Sequence, residues 1–193
     1  MVDGLLIRNT DGSSSELEQA VALLNSGLGE GYYTLNHISA ALLNEKGSFL
    51  LVAMLNADLA GVFFGEVSQP DKESPVITKV RNAGFVLPTC YIGLMRGLVV
   101  SAKHRNAGVG NALFVSSITE FVKRDVQCLV GTLWNHPQNA VETFFLNTGF
   151  AFLGQVTRFW WADSVQYQFA CPVCGNPCQC SASIYLKQNI EAG

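Results

Sequence analysis

The 193-residue sequence predicts a mixed α/β chain in which short strands and amphipathic helices alternate irregularly. Three observations carry that prediction. Apolar stretches of strand length, rich in Val, Leu and Phe, recur along the chain. Between several of them stand segments whose apolar residues fall at helical spacing. At the centre, the β-branched run Leu98-Val99-Val100 gives way through a short polar turn with two glycines to a helical pattern. The length fits a single domain over residues 1–193.

Leu5-Leu6-Ile7 reads as a first strand, and Ser13-Ser14-Ser15-Glu16 caps a helix to about Asn25, with Leu17, Ala20, Val21 and Leu24 on one face. Gly27, Gly29 and Gly31 are expected to break it, and a second helix covers Leu35 to Leu43. Phe49–Leu55 and Leu59–Val67 form a strand pair joined by the turn Asn56-Ala57-Asp58. Residues 68–90 hold Pro70, Pro75 and Pro88 among charges and read as a long loop. The strand Tyr91–Val100, the glycine turn and a helix from Gly110 to about Lys123 follow. Val126–Trp134 is the next strand, Gln138–Asn147 a helix capped by Gly149, and Phe150–Trp161 again strand-like. The order is β-α-α-β-β-β-α-β-α-β, with a further strand at the end. Gln166–Phe169 and Ala182–Leu186 read as strands flanking a cysteine-rich hairpin over residues 165–187.

Charged residues make up 14% of the chain and hydrophobic ones 49%, a surface composition that favours self-association, so a homodimer is expected. The formal charge of −3 without a basic run argues against nucleic acid. No apolar run approaches bilayer-spanning length, and the N-terminal residues lack signal-peptide features, so a cytoplasmic location without a membrane partner is expected.

The turn Arg105-Asn106-Ala107-Gly108-Val109-Gly110-Asn111 aims backbone N–H groups and the positive end of a helix at one point, an arrangement suited to a diphosphate. A tight connection without a ligand is the plain alternative. A dinucleotide fingerprint fails at Leu113, where a small residue is needed, and at Asn135, where an acid should hold a ribose. A P-loop fails because no Lys-Ser/Thr pair follows the second glycine.

The second signal is Cys171-Pro172-Val173-Cys174-Gly175-Asn176-Pro177-Cys178-Gln179-Cys180. Structural zinc on the four thiolates Cys171, Cys174, Cys178 and Cys180 is the leading reading, with free or redox-active thiols and an iron–sulfur site as alternatives. Four thiolates leave no open coordination position, so the metal would be structural. Cys90 and Cys128 read as small buried residues.

At Arg105-Asn106-Ala107-Gly108-Val109-Gly110 the sequence resembles the GCN5-related N-acetyltransferases (GNAT), whose signature is Gln/Arg-x-x-Gly-x-Gly/Ala at a strand–helix junction. Trp134 to Phe150 resembles the second half of that family's core, so the likeness spans roughly residues 91–162. The resemblance implies a central mixed, mostly antiparallel sheet with a splayed strand pair and flanking helices. It implies acetyl-CoA as cofactor, with the amides of Asn106 to Asn111 around the pyrophosphate. The Leu98-Val99-Val100 backbone would run along the pantetheine arm, and Asn135 and Asn139 would lie beside the cofactor.

The family's tyrosine that protonates the thiolate is matched here by Phe144-Phe145, and its glutamate base falls in Gly93-Leu94-Met95-Arg96. Glu66, Tyr91, His136 and Glu142 remain for proton transfer. The implied activity is transfer of an acetyl group from acetyl-CoA to a primary amine on a small molecule or peptide. The alternative is an acyl-CoA-binding or zinc-stabilised interaction module without turnover.

Overall fold

The computed structural model describes residues 4–44, 47–134 and 140–190. Seven strands form one sheet in the order β1-β2-β3-β4-β5-β7-β6, and helices cover both faces. β1 (Leu5–Asn9), β2 (Ser48–Leu55), β3 (Asp58–Ser68) and β4 (Ile92–Val100) run as an antiparallel meander. β5 (Cys128–Trp134) is parallel to β4, and β7 (Ala182–Gln188) returns antiparallel between β5 and β6 (Ala151–Val156). Asn56 and Ala57 both have positive φ, the hairpin turn that matches the twist of β2 and β3.

Helix α1 (Ser14–Leu28) starts on Ser13, whose side chain accepts the Glu16 N–H. Glu16 binds the Arg8 guanidinium and accepts from the Thr10 hydroxyl at 2.7 Å and the Asp11 N–H at 2.8 Å, tying β1 to the helix. Gly27 does not break α1. It lies within the last turn, where a Cβ would meet Val99 at 2.9 Å, and Gly29 is the residue that ends the helix. α2 (Leu35–Leu42) follows. Leu17, Ala20, Leu24 and Ile38 bury against Leu50, Val62, Phe64 and Val99 on this face of the sheet.

Two elements depart from expectation. The loop expected over 68–90 contains a helix, α3 (Pro75–Asn82), because Ser74 caps it and Pro75 occupies the first turn, where its missing N–H costs nothing. Ile77 and Val80 bury its inner face. The strand expected to reach Trp161 stops at Val156. Arg158 turns the chain at positive φ, and α6 (Trp161–Tyr167) takes the first half of the strand expected over 166–169. The cysteine-rich segment is therefore a loop between a helix and β7, not the tip of a hairpin over 165–187.

α4 (Val109–Val122) and α5 (Ala140–Asn147) cover the opposite face, burying Val109, Leu113, Phe114, Phe121 and Phe145 against Phe49, Phe63, Leu129 and Tyr185. Gly149, at φ +84, closes the connection to β6 as expected. No helix among the described residues is long and apolar enough to cross a membrane.

Candidate functional site

The sheet opens at its middle. β4 and β5 pair only through Ile92–Met95 and Cys128–Gly131, and beyond Met95 and Gly131 the strands part. At the same place the β3–β4 register slips. Phe64 faces Gly97 and Gly65 faces Met95, which leaves Arg96 as an extra bulged residue. Two causes lie in the sequence. Gly131 admits the Phe145 ring so closely that a Cβ would lie 2.1 Å from Cε1, and on β4 Gly97 sits where a Cβ would meet Leu28 at 2.9 Å. From Arg96 to Val100 one edge of β4 has no strand beside it, so its backbone groups on that side are available to a ligand.

A cavity of about 610 Å³ fills the opening. On one face its wall is Gly110 and Asn111 of α4 with Val141, Phe144 and Phe145 of α5. On the other it is Gly27 and Leu28 of α1, Tyr32 in the following loop, and Trp160. Met95, Arg96 and Thr132 lie where the strands diverge, and Leu98, Val100, Leu133 and Trp134 flank the gap.

The glycine turn links β4 to α4. A 3₁₀ turn over Ala102–His104 carries the chain from β4; Asn106 has φ +62 and Gly108 φ +80, and Gly108 caps α4 without a side-chain partner. The first N–H groups of α4 thus lack intrahelical acceptors. Arg105, Asn106, Gly110 and Asn111 line the cavity together with Leu98, Val99 and Val100. Ala107, Gly108 and Val109 are not on the cavity wall, and the Val109 side chain is buried in the core. Asn135, His136 and Asn139 lie outside the described residues.

The other expected participants are placed differently. Glu66 is not on the wall and binds Arg96, Oε2 to Nη1 at 2.7 Å. Glu142 accepts from the Tyr185 hydroxyl at 2.8 Å, and burial, aided by this contact, pushes that phenol up to about 12. Phe144 does line the cavity, at the position the resemblance gives to a tyrosine, while Phe145 buries against Phe150 and Tyr185.

Sequence reasoning missed the aromatic wall. Tyr32 meets Tyr33, Phe169 and Trp134 edge-on with centroids 4.8, 4.8 and 6.3 Å away, and Trp134 meets Trp160 at 5.4 Å. The Tyr32-Tyr33 pair after three closely spaced glycines was the available signal. Burial raises the Tyr32 pKa, so the phenol stays protonated at neutral pH.

Cys171, Cys174, Cys178 and Cys180 converge, with all four Sγ atoms within 4.8 Å of one another. The 174–180, 171–180 and 174–178 separations are 3.5, 3.7 and 3.8 Å. Tetrahedral zinc with bonds near 2.3 Å requires sulfurs about 3.8 Å apart, so the donor set fits that ion, whereas bonded sulfurs stand about 2 Å apart. The Val173 and Gln179 N–H groups point at Cys171 Sγ and Cys174 Sγ, at 3.5 and 3.2 Å. Burial opposes ionisation at Cys174, but the Gln179 N–H and the adjacent thiols outweigh it and lower its pKa. Cys90 and Cys128 are a separate unbonded pair, Sγ to Sγ 3.5 Å, and burial pushes Cys128 up to about 12.

The cysteine loop is tied to the aromatic wall. The Cys178 N–H donates to Ser164 Oγ at 2.8 Å, and Asn176 Nδ2 donates to the Ser164 and Phe169 carbonyls. The Phe159 N–H reaches the Cys180 carbonyl at 3.1 Å, one residue from Trp160. The Ala170 N–H reaches the Glu30 carbonyl at 2.9 Å, two residues from Tyr32.

A GNAT family acetyltransferase from Elizabethkingia anophelis with acetyl-CoA bound superposes with a TM-score of 0.62, covering 96% of this chain and 99% of its own at 15% identity. This chain has the GNAT fold. A GNAT acetyltransferase from Streptococcus pneumoniae gives 0.65 over 95% and 99% of the two chains at 18% identity. A ribosomal-protein alanine N-acetyltransferase from Escherichia coli gives 0.64 over 98% and 96% at 13%. No family model and no curated protein sequence matches the chain. The single parallel pair β4–β5 inside an otherwise antiparallel sheet, splayed at a β4 bulge, is the feature of the fold that creates the cavity.

Proposed function

We propose that the chain binds acetyl-CoA across the β4–β5 opening and transfers the acetyl group to an amine that enters from the face of Tyr32 and Trp160. The observation that carries this reading is the continuity of one cavity from Arg105, Asn106, Gly110 and Asn111, past the unpaired edge of β4, to the aromatic wall. The diphosphate lies at the N-terminus of α4, where N–H groups and helix dipole favour anions, with Arg105 beside it. The pantetheine arm adds itself to the free edge of β4 as a short pseudo-strand. The thioester then lies near the Arg96 bulge, where unpaired β4 backbone N–H groups stabilise the developing oxyanion.

The amine attacks the thioester carbonyl, the tetrahedral intermediate collapses, and the amide and CoA thiol leave. A thioester is already activated, so alignment of the two reactants supplies much of the acceleration. We assign structural zinc to the four cysteines. Its work is to fix the loop that holds Tyr32 and Trp160 in place, through Ala170 and Phe159.

The second reading, a CoA-binding module without turnover, draws on the absence of any carboxylate or imidazole among the described residues of the cavity wall and on Phe144 facing the cavity. Incubation with acetyl-CoA and a panel of amines separates the two. Amine-dependent release of thiol, with acetylated amine found by mass spectrometry, supports transfer; CoA binding without such release supports the module.

A further inference from the structure

The acceptor end of the cavity has a composition that selects among amines. Every ionised side chain on its described wall is cationic: Arg105 at the phosphate end and Arg96 where the strands diverge. Arg96 is held in place from two sides. Glu66 accepts from Nη1 at 2.7 Å, and the Tyr33 hydroxyl donates to the Arg96 carbonyl at 3.0 Å. Tyr33, which bonds Arg96, meets Tyr32 edge-on at 4.8 Å, and Tyr32 and Arg96 line the same cavity.

A guanidinium carries five N–H donors in a planar fork. Glu66 and Tyr33 engage only part of that fork, and no other hydrogen bond joins the Arg96 side chain to a described residue. Side-chain exposure of 19% in an otherwise enclosed position leaves the remaining donors open to the cavity. The neighbouring surface consists of the rings of Tyr32, Trp134 and Trp160. An acceptor with a cationic tail meets no carboxylate there to balance it, whereas an anionic group meets a positioned fork.

Resting on the acetyl-transfer reading above, we propose that the acceptor is a free amino acid with an aromatic or large apolar side chain, and that Arg96 is the specificity residue that receives its carboxylate. The bulge serves this selection directly. It places Arg96 at the start of the free β4 edge, beside the thioester position proposed above, so a carboxylate on the guanidinium draws the α-amine toward the thioester. Glu66 keeps the guanidinium fixed while occupying one nitrogen, leaving a second pair of donors for the ligand. The rings of Tyr32, Trp134 and Trp160 take the apolar side chain by edge and face contact.

The test compares three amines of one shape with the purified full-length chain: phenylalanine, phenylalaninamide and phenethylamine. A charge-assisted, bidentate carboxylate contact predicts that kcat/KM for the acid exceeds that for the amide by about tenfold or more at a pH where both amines carry the same fraction of free base. In the Arg96→Gln/Glu66→Gln double variant, which removes both charges together, the ratio should fall to about one, chiefly through KM of the acid. Equal or better use of the amide by the unmodified chain overturns the proposal, as does an acid preference that survives in a folded double variant. Acetyl-CoA binding with turnover of none of the three also overturns it. Calorimetric titration with acetyl-CoA runs in parallel: no binding defeats the acetyl-transfer reading itself, whereas binding with no acid preference defeats only the assignment of Arg96.

Discussion

Replacing Gly108 by alanine separates the cost of the cradle's backbone from its ligand chemistry. Gly108 has φ +80 and ψ −1, a left-handed conformation. A Cβ there costs roughly 1–2 kcal/mol. For a chain of this size that is a fall in Tm of about 2–8 °C. The same substitution at Gly84, φ +93 with open space around it and outside the cavity, imposes a comparable backbone cost and is the matched control. The two variants should therefore melt at similar temperatures. Their affinities for acetyl-CoA should differ. A turn at 105–110 that relaxes out of the left-handed region tilts the N–H groups away from the diphosphate, and each lost hydrogen bond to a charged group removes about 1.5–3 kcal/mol of binding. Calorimetric titration should show Gly108→Ala weakened about 10- to 100-fold and Gly84→Ala unchanged. Equal affinities in two variants of equal Tm would refute the placement of the diphosphate at this turn.

Chelation of the proposed zinc should lower Tm and raise KM for the acceptor amine several-fold while leaving KM for acetyl-CoA nearly constant, because the loop touches the aromatic wall and not the glycine turn; an unchanged acceptor KM in metal-free protein contradicts the structural link. Gly131→Ala puts a methyl 2.1 Å from the Phe145 ring at the divergence of the strands, so thermal denaturation should show a loss of about 1–3 kcal/mol, with CoA affinity falling as well. The Arg8 hydrogen bond, opposed by burial and aided by Thr10 and Asp11, lowers the Glu16 pKa to about 2 from an ordinary 4.5. A depressed carboxylate contributes stability that is complete above pH 4.5 and is lost as pH falls toward 2, so Glu16→Gln should be less stable at neutral pH and show a shallower loss across that interval in acid denaturation curves.

The strands β1 to β5, the hairpin at Asn56–Ala57 and the glycine turn were readable because each rests on local chemistry: apolar runs of strand length, turn residues, glycines where φ is positive. The helix at Pro75–Asn82 was obscured because three prolines in 68–90 read as breakers, although Ser74-Pro75 is itself a helix start. Beyond β6, the run Phe159-Trp160-Trp161 is as apolar as a strand, and only the backbone reversal at Arg158 shows that it opens a helix. The cysteine spacing announced a cluster of four thiols but not its neighbours. Its contacts to Glu30 and Phe159 are long-range, and no local pattern encodes them. The same holds for Arg96. It appeared only as the place where a glutamate was missing, and the role proposed for it follows from a bulge produced by pairing with β3.

The most direct test of the central claim, that the β4–β5 opening is an acyl-CoA site, is a calorimetric titration of the purified chain with CoA. The account predicts saturable binding of one CoA per chain, abolished or strongly weakened when Gly110, whose Cβ position faces Leu98 and Val100 across the mouth of the cavity, is replaced by tryptophan in a variant that still folds. Absence of binding, or binding indifferent to that substitution, would contradict it.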